Sequence, residues 1–150
     1  MAAFSTLLSQ AQQLCEQRGV RMTSHRSLVY RLLLEHKQAI TAYDLLEQLK
    51  QIEPQAKPPT VYRALDFLLA QGFVHKIESI SSFIACHHIA CQHHCSQLLI
   101  CDDCGTVTEC DSHDAVALLS RISAEYGFKL KHHIIETHGS CQRCQAGAIC

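Results

Sequence analysis

Apolar residues recur at helical spacing through the first seventy positions and alternate with polar ones just after them. Leu7, Leu8, Ala11, Leu14 and Cys15 mark one face of a first helix, which Gly19 stops. Thr23 or Ser24 can cap a second, with Leu28, Val29, Leu32 and Leu33 inward. A third opens at Thr41 in TAYDLLEQLKQI, with Asp44 at the capping-box position, Leu45, Leu46, Leu49 and Ile52 towards the core, and Pro54 just past its end. Pro58 and Pro59 begin a fourth, PPTVYRALDFLLAQG, whose core stripe is Val61, Leu65, Leu68 and Leu69 and whose stop is Gly72.

The alternating runs FVHKIES and SSFIACH then predict a two-stranded ribbon around a short Ser/Ile loop. Short helices followed at once by a ribbon is the order of a winged helix, in which the second helix of a helix-turn-helix enters the major groove. With Val61 and Leu65 buried, Thr60, Tyr62 and Arg63 stand on the exposed first turn and a half of the fourth helix, beside positive dipole charge and free N–H groups. On spacing alone an ordinary solvated face accounts for them; the ribbon that follows shifts the balance to DNA. Tyr43, at the start of the preceding helix, is placed to meet the DNA backbone.

Further on, TVTE reads as a strand, SHDAVALLSRISAEYG as an amphipathic helix ending at Gly127, and FKLKHHIIETH as a long strand. Strand, strand, helix, strand makes a small domain of about 65 residues, near the size at which a core alone is marginal. The fold class is therefore α+β: an N-terminal winged helix-turn-helix domain, then a small α/β domain that needs a metal or a second copy of itself for stability.

Composition bears this division out. The chain has 150 residues, 47% apolar and 18% charged, which excludes the disordered and collagen-like classes. Its apolar runs are too short to span a bilayer, and MAAFSTLLSQAQQ lacks the basic leader and long apolar core of a secretory signal, so the expected location is the cytoplasm. In a reducing cytosol the ten cysteines point to metal binding rather than disulfides. Only four of the 21 Cys and His residues fall in the first 80 positions. Net charge divides the same way, +2 over residues 1–80 and −3 over 81–150, a mild asymmetry that permits a nucleic-acid partner for the first half without requiring one.

Two features carry chemistry. Cys101 and Cys104 in CDDCG form one C-x-x-C and Cys141 and Cys144 in CQRC another, with 36 residues between. Each pair on a tight turn offers two thiolates to one ion, Gly105 and Gly139 suit such turns, and two pairs close a tetrahedral S₄ site with no open position for substrate. A single C-x-x-C would also serve as a redox pair; two pairs at opposite ends of one small domain fit structural zinc. The second feature, CHHIACQHHC at 86–95, offers seven possible ligands, more than one ion can use.

At AYDLLEQL, EPQAKPPTVYRALDFLLAQGFVHKIES, CDDCG and GSCQRC the chain resembles the ferric uptake regulator family of bacterial metal-dependent repressors, and within it the zinc uptake regulators, over essentially its whole length. Iron sensors of the family tend to carry an HHDH-like run before the first C-x-x-C, where this chain has HHCSQLLIC. The resemblance implies two zinc ions per chain. A structural ion falls on Cys101, Cys104, Cys141 and Cys144, and a regulatory ion on His75, Cys86, His94 and Glu109. His75 shares a strand face with Phe73 and Ile77 and alone would read as a core histidine; Glu109 alone would read as a solvated carboxylate. His93 in place of His94, or Cys91 in place of Cys86, stays open, and His87, His88 and Cys95 have no assigned role. The family usually has Thr-Pro-Gln-Arg at the second helix, and here Thr23-Ser24-His25-Arg26 alters only the cap.

The implied organisation is a DNA-binding domain over residues 1–82, a hinge carrying regulatory ligands over 83–96, and a dimerisation domain over 97–150. The implied function is zinc-responsive repression of zinc-uptake genes, by a homodimer on palindromic double-stranded operator DNA, with no catalysis, membrane or small-molecule substrate. Iron or peroxide sensing is the nearest rival. From other classes, a thiol redox protein would need an accessible low-pKa cysteine, and a zinc-buffering protein would leave PPTVYRA unexplained.

Overall fold

A computed structural model describes residues 2–36, 38–89, 97–110, 113–130 and 134–147 and, from residue 5 onward, their side chains. It divides into two compact units, residues 1–92 and 93–150. In the first, α1 (Ala2–Gln17) buries Ala11 and Cys15. Thr23 caps α2 (Ser24–Glu35), its hydroxyl oxygen accepting the Arg26 N–H at 3.4 Å. This helix is buried on more of its surface than an amphipathic stripe requires, at Val29, Tyr30, Leu32, Leu33 and Leu34.

A two-residue strand, β1 (Ile40–Thr41), precedes α3 (Ala42–Ile52). Thr41 serves both elements. Its backbone pairs in the sheet opposite Ser82, and its hydroxyl accepts the Asp44 N–H at 3.1 Å while donating to Asp44 Oδ2 at 2.7 Å. Leu45, Leu46 and Leu49 are buried, but Ile52, expected inward, is 48% exposed, because it lies in the last turn beyond the reach of the core.

The fourth helix, α4 (Pro58–Ala70), buries Val61, Ala64, Leu65 and Leu68, with Leu69 half-buried against the core. Free N–H groups expected at its start are not offered by residues 58–60. Pro58 and Pro59 have none, and Thr60 donates to the Lys57 carbonyl at 2.9 Å. Its other end closes as a Schellman turn: Gly72, at φ +72°, donates to Leu69 O and Phe73 to Leu68 O. The chain turns directly into β2 (Val74–Ile77), a 3₁₀ turn (Glu78–Ile80) and β3 (Ser82–Ala85). The sheet order is β1-β3-β2, all antiparallel, so the expected ribbon has a third strand.

The second unit contains β4 (Gln97–Cys101), β5 (Val107–Cys110), α5 (His113–Glu125), β6 (Ile135–Gly139) and a single turn, α6 (Gln142–Gln145). β4 is central, antiparallel to β5 and parallel to β6. Of the long strand expected from Phe128, residues 128–130 and Ile134 are not in a strand, 131–133 lie outside the described residues, and β6 itself is Ile135–Gly139. Among the described residues the buried apolar set of this unit is small: Leu98, Ile100, Cys101 and Val107. Leu118 and Ile122 on α5 remain more than 40% exposed.

Because Thr41 caps α3, Thr41→Ala is expected to lower stability by about 1 kcal/mol, read as a reduced urea midpoint at unchanged slope.

Candidate metal centres and nucleic-acid interface

The parallel pairing of β4 with β6 decides where the cysteines go. Parallel strands leave the sheet at the same end, and the register sets Cys101 opposite Gly139. The CDDC turn that follows β4 and the CQRC turn that follows β6 therefore arrive side by side, Asp102 N–H donating to Gly139 O at 2.9 Å. The first turn is tight, with Gly105 at φ +70° donating to Cys101 O. Cys141 sits at the start of α6 and Cys144 one turn on.

The four sulfurs lie within 4.8 Å of one another, with Cys101–Cys144 and Cys104–Cys141 each at 3.8 Å. Ligands about 2.3 Å from a tetrahedral zinc stand about 3.8 Å apart, so the cluster has the dimensions such an ion needs. The surroundings favour the thiolate form of Cys104 and Cys141. Cys141 N–H donates to Cys101 Sγ at 3.2 Å. The hydroxyl and then the N–H of Thr106, at the Cys104 sulfur, bring its thiol down from 9.0 to about 6. The Cys144 N–H, followed by its thiol, also lowers Cys141. Next to the cluster, Asp102 Oδ1 meets His138 Nδ1 at 2.7 Å, a link from the turn after β4 to β6.

In the first unit His75 on β2 and Cys86 just after β3 are both buried, and their ligand atoms lie within 4.8 Å of each other. Strand pairing brings them close: Val74 faces Ala85, and Cys86 N–H donates to Phe73 O at 2.9 Å. Glu109 is half-buried on β5 of the second unit. His94, with Cys91, His93 and Cys95, lies outside the described residues, as do His132 and His133.

On the helix-turn-helix, Tyr43 is 70% and Tyr62 54% exposed, Arg63 is exposed, and Thr60 is half-buried. Arg31, Lys50 and Lys76 each meet a carboxylate; among the described residues Arg63 makes no such pair. A guanidinium held out in this way can meet a phosphate or a guanine edge. No helix of the described residues is long and apolar enough to cross a membrane.

Cys104→Ser should remove tight zinc binding at the cluster and lower the cooperativity of unfolding, measured by chelator competition and thermal denaturation. The same chemistry sets a pH window. Without metal, a depressed Cys104 thiol favours the folded state fully above its ordinary 9.0, and that contribution fades as pH falls through about 6. With metal, protons compete for the thiolates, so zinc retention is expected to weaken below about pH 6.

The ferric uptake regulator family model matches residues 17–138. The zinc uptake regulation protein of Escherichia coli (strain K12) is 49% identical over 144 residues, covering 96% of this chain and 84% of that protein. A solved zinc uptake regulator complexed with zinc and DNA aligns with a TM-score of 0.92 at 49% identity, over 96% of each chain. Holo XcZur aligns with a TM-score of 0.86 at 39% identity, over 94% of this chain and 98% of that one. The family match over most of the chain, and this degree of identity, establish that the chain belongs to the ferric uptake regulator family.

Proposed function

We propose that this chain is a zinc-responsive transcriptional repressor, which binds palindromic operator DNA as a zinc-loaded homodimer and represses zinc-uptake genes in the cytoplasm. The observation that carries the reading is the wing. The ribbon that leaves the DNA-facing helix α4 holds His75 and Cys86 buried with their ligand atoms close enough for one ion. A buried histidine and cysteine at that spacing, in a chain 49% identical to a zinc uptake regulation protein, support zinc as the signal.

In this reading each chain takes two ions. Cys101, Cys104, Cys141 and Cys144 hold the structural one, and His75, Cys86, His94 and Glu109 hold the regulatory one. When bound, zinc supplies charge neutralisation and a fixed tetrahedral arrangement of its ligands. His75 and Cys86 belong to residues 1–82 and the start of the 83–96 hinge, and Glu109 to the dimerisation domain at 97–150, so their shared ligation would favour one arrangement of the DNA-binding parts. Moving a two-state equilibrium from mostly incompetent to mostly competent takes roughly 5.5 kcal/mol of differential binding. Structural zinc sites supply ~10–16 kcal/mol, so a four-ligand site is adequate. A dimer must present its recognition helices about 34 Å apart to meet both half-sites of a palindrome. The exposed apolar residues of α5, Leu118 and Ile122, support a partner-covered face. Depressed thiols at Cys104 and Cys141 would also suit redox chemistry, but four sulfurs at tetrahedral edge lengths are what an ion requires and a redox pair does not.

His75→Ala, Cys86→Ser or Glu109→Ala should leave a folded protein that keeps its structural zinc yet no longer gains DNA affinity on zinc titration. A Cys86→Ser titration curve identical to wild type would reassign the ligand to Cys91 or Cys95. For DNA, Arg63→Ala should weaken operator binding by ~1–3 kcal/mol more than binding to scrambled duplex. Loss of a phosphate contact would instead weaken both duplexes and flatten the salt dependence by about one ion. Tyr62 and Thr60 are assigned to a phosphate or a thymine methyl and Tyr43 to the DNA backbone, so removal of Tyr43 should weaken binding to both duplexes alike.

A further inference from the structure

Arg18, the residue before Gly19 at the end of α1, reaches 53 positions along the sequence to the far end of α4. Its Nη1 donates to the Gln71 carbonyl at 2.7 Å and lies 3.1 Å from Gln71 Oε1. Its guanidinium carbon stands 5.5 Å from the centroid of the Phe73 ring, within the range of cation–π attraction. Gln71 is the C-cap of α4, so the cation lies where the helix dipole is negative. Arg63 is about 12 Å along the helix from this cap, so Arg18 acts at a distance from the base-facing residue.

Phe73 is the residue on which three elements converge. Its ring is fully buried against Tyr30, with centroids 5.8 Å apart. Its carbonyl accepts the N–H of Cys86 at 2.9 Å, and its chain enters β2 with His75 two residues on. The end of the DNA-facing helix, the backbone of Cys86 and the strand of His75 are thus joined at Gln71–Gly72–Phe73. Arg18 grips both sides of that corner, Gln71 by hydrogen bonds and Phe73 through its ring face.

We propose that Arg18 is a positioning residue for metal-dependent DNA binding, stiffening the corner through which a change at His75 and Cys86 reaches α4. This rests on the reading of the chain as a zinc-responsive DNA-binding protein. Arg18 needs to touch neither the metal nor the DNA. Its contribution lies in the coupling between the two binding events, which is reciprocal: whatever factor zinc adds to DNA affinity, DNA adds to zinc affinity.

The test compares wild type, Arg18→Ala, Arg18→Lys and Arg31→Ala. The last is an exposed control that removes the same charge from α2, where Arg31 faces Glu35 at 3.9 Å. The DNA is a duplex selected from a random-sequence library by the zinc-loaded wild-type protein. Its Kd is measured with zinc and with a chelator that strips the regulatory ion, and zinc affinity is measured with and without the duplex. Arg18→Ala is expected to cut the ratio of the two DNA constants on the order of tenfold, about 1.4 kcal/mol, with zinc affinity in the absence of DNA unchanged. Arg18→Lys should retain part of the ratio, since an ammonium can meet the Gln71 carbonyl but cannot also present a planar fork to the ring. Arg31→Ala should retain all of it. If Arg18→Ala does not fold, the intermediate ratio of Arg18→Lys carries the same test.

An unchanged ratio in Arg18→Ala overturns the proposal, as does an equal fall in Arg31→Ala, which would reduce the effect to net charge. Equal weakening with and without zinc overturns it in favour of a phosphate contact. A wild-type protein whose DNA binding ignores zinc would overturn the functional reading and this inference together; a zinc-responsive wild type with an intact Arg18→Ala ratio overturns this inference alone.

Discussion

Four sulfurs can be brought to one point only if both cysteine turns leave the sheet at the same end, and the parallel pairing of β4 with β6 is what enforces this. The second unit depends on it. Four buried apolar residues among those described are a thin core, and α5 contributes no buried residue to it. An ion held by the four sulfurs, as proposed, would cross-link the ends of β4 and β6 and shift the cost of order from burial to ligation, as small domains commonly require. The backbone bond from Asp102 to Gly139 and the Asp102–His138 contact hold the two turns in register around the cluster. Parallel pairing needs a long crossover, and the 33 residues that separate β4 from β6 in sequence, with β5 and α5 among them, provide one.

The first unit solves a different problem with the same kind of economy. Its core is large, formed by four helices and the ribbon, with Leu33, Leu45, Leu49, Leu65 and Leu68 fully buried. Also buried are His75, on β2, and Cys86, just after β3. The backbone from α4 through Phe73 to His75 is short and ordered by strand and cap hydrogen bonds. If His75 and Cys86 hold the regulatory ion and α4 faces DNA, as proposed, ligation is passed to α4 through few soft torsions.

Much of this was legible in the residues alone. Periodicity located the four helices, because each carries an apolar stripe, and start or stop signals marked one end of the first two and both ends of the third and fourth. The C-x-x-C pairs were legible because two thiols three residues apart have few other uses in a reducing compartment. β1 was not, since two residues are too few for alternation to register, and its existence depends on pairing with β3, Ile40 opposite Phe83 and Thr41 opposite Ser82. Phe128, Lys129 and Leu130 share the alternation of FKLKHHIIETH yet lie outside any strand, because alternation marks residues that can pair and not those that have a strand opposite. Ile52 has the right spacing but sits past the end of the packed surface. The nearness of His75 and Cys86 came from resemblance, because alternation assigns a face to a strand residue and says nothing of what lies across the ladder.

The central claim is that one ion per chain serves the fold and a second serves DNA binding. Metal analysis combined with DNA binding under graded chelation tests it most directly. Two zinc ions per chain should be found, and mild chelation should remove one of them, abolish operator binding and leave the circular dichroism spectrum and thermal transition intact, with stoichiometric zinc restoring binding. Operator binding that survives removal of that ion, or a chain that holds a single zinc while binding operator at full strength, would contradict the account.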